Sequence, residues 1–276
     1  MPSSSVWEGV AAEPGSAKPD PILVIDGVQR SFGGLKAVDV DHLEIQRGTI
    51  TALIGPNGAG KTTLFNLVSG FDEVDDGQWH LNDLSLRGKP PHKVAQAGMV
   101  RTFQLTKSLG KMTCLENMML GAKNQIGESF LNALVVTRWR RQEAQIRERA
   151  EELLERFNLL HMSAEYAATL SGGQRKLLEM ARALMTEPEV ILLDEPMAGV
   201  NPALVQSLLH HIEALRDEGM TVVFIEHDMD VIMGISDWIA VLAEGRVIAE
   251  GSPDQVGANP AVIEAYLGAG FGEDPS

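Results

Sequence analysis

Lys61 and Thr62 close the stretch Gly55-Pro56-Asn57-Gly58-Ala59-Gly60-Lys61-Thr62-Thr63, which fits G-x-x-x-x-G-K-[ST], the pattern of a phosphate-binding loop. The chemistry follows from the residue types. Glycines let backbone N–H groups turn inward around an anion, and a helix beginning at the lysine adds its positive end. Lys61 supplies a point charge for outer phosphates, and Thr62 a hydroxyl for Mg²⁺. The apolar run Thr49 to Ile54 reads as a strand before the loop. Leu64-Phe65-Asn66-Leu67-Val68, stopped by Gly70, reads as a helix after it. Strand, tight turn and helix form the context that a nucleoside triphosphate site needs.

Four other places carry residues suited to the same chemistry. Val190-Ile191-Leu192-Leu193-Asp194-Glu195 is an apolar strand ending in two acids. Asp194 is the candidate for holding Mg²⁺, directly or through its water, and Glu195 for orienting or deprotonating the attacking water. His227 follows the apolar run Thr221–Ile225, a strand-end placement that can bring it near a γ-phosphate, where a lone histidine is more commonly structural. Gln104, also at a predicted strand end, can reach metal or water through its amide. Ser171-Gly172-Gly173-Gln174 opens a helix whose inner face is Leu177, Met180, Ala181 and Leu184. Ser171 and Gln174 have capping-box spacing, while the two glycines exceed what capping requires and expose N–H groups at a positive helix end. One chain with one phosphate loop but two anion-binding helix starts points to two copies sharing a nucleotide. Phe32 sits at a Gly33-Gly34 turn, where its ring can stack on a base or join the core. His210 and His211 are adjacent on a helix and point about 100° apart, so a shared zinc ion is rejected.

The elements that must position these groups alternate strand and helix around the loop, which implies a mostly parallel sheet with helices on its faces. Short alternating strands at Ile22–Ile25 and about Lys36 to Ile45 predict an antiparallel layer beside it. A polar loop is expected around Pro90-Pro91, and a helical lobe over about 105–185, opened by the capping pair Thr113 and Glu116. Residues 1–20 are rich in Ser, Pro, Ala and Gly and are expected to be a disordered tail. In the 276-residue chain a net charge of −15 argues against general nucleic-acid binding. The single cysteine, Cys114, excludes an intramolecular disulfide and fits a reducing compartment. No apolar run approaches the ~18–20 residues of a membrane span, so work at a membrane is expected to pass through a partner.

Taken as a set, GPNGAGKTT at 55–63, Gln104, LSGGQ at 170–174, ILLDEP at 191–196 and His227 resemble the ATP-binding subunit of ATP-binding-cassette transporters, over roughly 22–268, with 269–276 a flexible tail. That resemblance implies a RecA-like P-loop α/β lobe, an antiparallel β subdomain and an α-helical lobe bearing the signature motif. It also implies ATP and Mg²⁺ as ligands, and a dimer in which each subunit's loop is completed in trans by Ser171, Gly172, Gly173 and Gln174 of the other. Under it Phe32 stacks on adenine, Glu195 is the general base, His227 the γ-phosphate switch and Gln104 the link to membrane subunits. The segment Met197-Ala198-Gly199-Val200-Asn201-Pro202 carries Asn201 where the family usually has Asp.

Val100-Arg101-Thr102-Phe103-Gln104, Glu226-His227-Asp228-Met229, Val231 to Asp237 and the ending Ala265-Tyr266-Leu267-Gly268 look like importers of branched-chain amino acids. Importers of urea and short-chain amides and a lipopolysaccharide-export ATPase share parts of the pattern. The implied partners are permease subunits, a second such ATPase and, indirectly, a substrate-binding protein, with the subunit peripheral on the cytoplasmic face of the membrane. A soluble switch acting on ribosomes or DNA is the rival from another class, and the acidic balance and lack of sustained heptads count against it.

Overall fold

A computed structural model describes residues 4–102, 109–123 and 136–270. The chain divides into two compact units. One runs up to Arg101 and adds Glu189–Pro196 and the chain from Ile212 onward; the other takes Thr102–Pro188 and Met197–His211.

The first unit contains two sheets. Strands β1 (Pro21–Phe32), β2 (Leu35–Gln46), β4 (Asp76–Leu81) and β5 (Leu84–Ser85) form an antiparallel sheet in the order β2-β1-β4-β5. Its core face is built from cross-strand pairs: Leu23 opposite Ile45, Ile25 opposite Leu43 and Val28 opposite Val40. All six side chains are buried, and such directly opposed apolar pairs fix the register. The second sheet holds β3 (Ile50–Ile54), β6 (Met99–Arg101), β7 (Val190–Asp194), β8 (Thr221–Ile225), β9 (Trp238–Ala243) and β10 (Arg246–Gly251). Its order is β10-β9-β3-β8-β7-β6, parallel throughout except that β10 returns antiparallel to β9. Every residue of β3, β7 and β8 is buried, as expected of predominantly apolar strands in a sheet covered on both faces.

The expectation of a disordered tail over 1–20 is corrected: of that stretch, the described residues from Trp7 to Lys18 are instead packed on the sheet unit. Lys18 is buried against Glu250, Nζ to Oε2 2.9 Å, with neither side chain exposed. Gly15 N–H donates to Glu250 Oε1 (2.8 Å) and Trp238 Nε1 to Glu250 Oε2 (3.0 Å). Trp7 stacks on Trp238 with ring centroids 4.5 Å apart. Composition misled because these contacts are all long-range, and nothing in the local pattern announces them. Around Pro90-Pro91 the expected loop contains a short helix, Pro91–Gln96, with proline in its first turn, where its fixed φ suits a helix start. The helix Pro260–Gly270 passes the domain end expected at 268, and residues 271–276 lie outside the described residues.

The second unit is helical. Cys114–Met119 begins with the expected capping box: Thr113 Oγ1 accepts from Glu116 N–H (3.2 Å) and Thr113 N–H donates to Glu116 Oε2 (2.8 Å). The long charged helix Val136–Arg156 buries Ala150, Leu153 and Leu154 on one face, with Phe157 just beyond its end. Asn117, fully buried, ties the preceding turn with bonds to Leu109, Met112 and Thr113. Met197–His211 joins this unit although it lies outside the block expected from the sequence.

Candidate nucleotide site

Parallel strands deliver their carboxyl ends to one edge of the sheet, so whatever follows β3, β7 and β8 is gathered there. These three are neighbours in the order β3-β8-β7. The phosphate loop follows β3, Asp194 and Glu195 end and follow β7, and His227 comes two residues after β8. The local sequence thus sets what each group is, and the parallel pairing sets where it goes.

The loop is braced from outside. Gly60 has φ +97, and a Cβ there would lie 2.3 Å from the Ala37 carbonyl oxygen of β2, so only glycine fits so close to the neighbouring backbone. Gly245, in the β9–β10 turn, donates its N–H to the Ala59 carbonyl (3.1 Å) and accepts from Asp39 N–H (2.8 Å). Lys61 starts the helix Lys61–Val68, and its ammonium donates to the Gly55 and Pro56 carbonyls at 2.7 and 3.0 Å. Burial pushes this ammonium below the usual lysine range, and the Glu195 and Asp194 carboxylates oppose the shift. Asn57, Gly58 and Thr62 are exposed and Pro56 and Thr63 half-buried, while Gly55 and Ala59 are buried. Burial of its ring pushes the Tyr266 phenol, in the C-terminal helix, above the usual tyrosine range, and the Gly55 backbone opposes the rise. The sequence had marked Tyr266 only as part of a family-like ending.

The two acids have different settings. Asp194 is buried, its Oδ2 lies 2.6 Å from Arg101 Nη2, and its buried Oδ1 has no hydrogen-bond partner among the described residues. A buried carboxylate oxygen without a donor fits a metal ion or metal-bound water, because leaving it bare is costly. Glu195 adopts φ +47 and donates its backbone N–H to the Ile225 carbonyl (3.0 Å). Its Oε1 stands 3.0 Å from His227 Nε2. A non-glycine residue in the left-handed region is held there by its surroundings, and here the turn aims the carboxylate at the histidine. Such a pair can share a proton or orient a water. Phe32 is 48% exposed, with the Arg30 guanidinium 4.8 Å from its ring centroid, so it is a surface ring rather than a core residue.

Ser171 to Gln174 belongs to the helical unit and opens the helix Gly172–Leu184. The capping box is formed: Ser171 Oγ accepts from Gln174 N–H (3.3 Å), and Ser171 N–H donates to Gln174 Oε1 (2.9 Å). The cap uses the serine oxygen as acceptor and leaves its hydroxyl proton able to donate. Gly173 has a second reason to be glycine, since a Cβ there would lie 2.5 Å from Leu204 Cδ1. Gly172 is exposed and has no such neighbour. Asn201 Oδ1 accepts from Leu204 N–H (3.0 Å), capping the helix Pro202–Asp217. His211 stacks on Phe157 at 4.3 Å, and burial, with Arg156 and His210 nearby, pushes its imidazole pKa down. Gln104 lies outside the described residues.

Residues 38–198 match the ABC transporter family, and residues 246–272 match the branched-chain amino acid ATP-binding cassette transporter family. The chain is 42% identical over 248 residues to a probable branched-chain amino acid transport ATP-binding protein, LivG, of Archaeoglobus fulgidus, covering 90% of this chain and 96% of that one. It is also 42% identical over 250 residues to the high-affinity branched-chain amino acid transport ATP-binding protein BraF of Pseudomonas aeruginosa, covering 90% and 98%. Among solved structures, a nucleotide-free ATP-binding cassette from an ABC transporter matches with a TM-score of 0.78 and 38% identity, covering 89% of this chain and 98% of that one.

Proposed function

The chain belongs to the ABC transporter family, and we propose that it is the ATP-hydrolysing subunit of an importer of branched-chain amino acids. What carries the reading is the gathering of the phosphate loop, Asp194, Glu195 and His227 at one edge of a parallel sheet, in a chain that resembles LivG and BraF proteins over nine-tenths of its length. The match of residues 246–272 to the branched-chain family supports the choice of cargo over urea, amides or lipid.

In this reading the backbone from Gly55 to Thr63 wraps the phosphates, Lys61 leaves its loop carbonyls for the outer phosphate, and Phe32 stacks on adenine. Thr62 and the open Oδ1 of Asp194 would hold Mg²⁺, with Gln104 as a further ligand; bound there, it would supply positive charge against the phosphates. Glu195 takes a proton from the attacking water, and His227, at 3.0 Å from it, fixes the carboxylate and meets the γ-phosphate. Ser171, Gly172, Gly173 and Gln174 complete the site of a second copy or a similar subunit, Ser171 donating its free hydroxyl proton to phosphate. No helix among the described residues is long and apolar enough to cross a membrane. The subunit acts from the cytoplasmic face on permease subunits, which in turn receive cargo from a substrate-binding protein.

Glu195→Gln tests the core of this reading. ATP binding should persist while turnover falls by roughly 10²–10⁴-fold, the usual span for a lost general base. Unchanged hydrolysis would remove Glu195 from the mechanism. Purifying the native complex from detergent extract tests the setting: a polytopic permease supports transport, and ribosomes or DNA would replace it with a soluble switch.

A further inference from the structure

Arg101 ends β6 and pairs in register with Leu192 of β7, two residues before Asp194. Residues two apart on a strand share a face, so Arg101 and Asp194 leave the sheet on the same side. The arginine side chain is 5% exposed and the aspartate 1%. One guanidinium nitrogen, Nη2, binds Asp194 Oδ2 at 2.6 Å; a second, Nη1, binds Asn66 Oδ1 in the helix that begins with Lys61. The guanidinium also lies 5.8 Å from the Phe65 ring. A single side chain therefore ties the aspartate at the end of β7 to the helix of the phosphate loop. The planar fork of arginine can serve two acceptors in fixed directions at once, which the point charge of lysine cannot do.

The tie is one-sided. Oδ2 is taken, and Oδ1 is buried without a partner among the described residues. If the pair existed only to join β6 to β7, both carboxylate oxygens would be expected to find donors, because an unsatisfied buried oxygen costs stability. We propose that Arg101 is a positioning residue for the metal carboxylate: it fixes the plane of Asp194 by one oxygen so that the other is presented to Mg²⁺, and through Asn66 it sets that oxygen against the phosphate loop. The inference rests on the Mg²⁺-dependent ATPase reading above. Arg101 acts on the metal through Asp194. Outer partners that orient a ligating carboxylate typically alter metal affinity by about 10–100-fold when removed.

The test uses the full chain and reads binding rather than turnover. A fluorescent ATP analogue is titrated in EDTA and again across a Mg²⁺ series, giving the half-saturating Mg²⁺ concentration for tightened nucleotide binding. Arg101→Lys should raise that concentration by about 10–100-fold while leaving binding in EDTA at the wild-type level. Asn66→Ala, which keeps the ion pair but removes its anchor, should shift it in the same direction by less. A wild-type Mg²⁺ dependence in both variants would overturn the inference, as would equal loss of binding with and without the metal, which marks a structural brace. If Arg101→Lys fails to fold, Asn66→Ala decides alone. Absence of Mg²⁺-dependent tightening in the wild type would instead strike the ATPase reading itself.

Discussion

Two buried ion pairs in the sheet unit look alike and are built to opposite ends. Around Lys18–Glu250 everything is used: Glu250 Oε1 takes the Gly15 N–H, Oε2 takes Lys18 and the Trp238 indole, and Lys18 also donates to the Ser16 carbonyl. Arg101–Asp194 is as well buried, yet it leaves one carboxylate oxygen bare. The two aromatic rings show the same contrast. Trp238 is 2% exposed, with Trp7 and Lys18 against it, whereas Phe32 is 48% exposed with the Arg30 guanidinium over its ring. The carboxylate whose bonding capacity is filled serves the fold; the one left with an open oxygen is where a metal ion can be received.

The strongest way to break this contrast is Lys18→Met. It strands Glu250 as a buried charge, and removing one partner of such a pair costs about 3–5 kcal/mol. Denaturant unfolding should show that loss, while Mg²⁺-dependent nucleotide binding at low temperature stays as in the wild type. A changed metal dependence would mean that the N-terminal segment reaches the site and the two pairs are not separable. Next in size is removal of the metal from ATP-saturated protein. A ligand at 100 times its dissociation constant stabilises by about 2.7 kcal/mol. Chelation with EDTA should lower the melting temperature by part of that increment, and by the same amount in Lys18→Met from its lower baseline. No change on chelation would count against Asp194 as a metal carboxylate. The smallest effect is expected at Phe32: Phe32→Ala should weaken nucleotide affinity by ~1 kcal/mol, the scale of one aromatic stack. Unchanged affinity would leave the exposed ring without a ligand to receive.

Much of this arrangement was legible in the sequence because it depends on local pattern. The runs at β3, β7 and β8 are almost wholly apolar, Thr51 being the one polar side chain inside them, which marks strands buried on both faces. Once those are parallel, the loop, the acids and His227 must share an edge. The capping boxes at Thr113 and Ser171 are likewise local, each closing over three residues. What escaped is non-local. Arg101 meets Asn66 35 residues before it and Asp194 93 residues after it, and no window of sequence contains the three. Gly173 read as a phosphate-facing glycine, yet Leu204, from the segment Met197–His211, leaves no room for a Cβ there. Residues 4–20 escaped for the same reason: Ser, Pro, Ala and Gly have no period to read, and the order comes from Trp238 and Glu250.

The separation within that last pair has a consequence for synthesis. Glu250 is translated 232 residues after Lys18. At roughly 5–20 residues per second the interval is on the order of 10–50 s. Throughout it, Lys18 and Trp7 have no pocket to enter, because β9 and β10 supply it. Until then Trp7 and the Lys18 ammonium stay in water, open to proteases and chaperones, and they dock only when the sheet closes at its far edge.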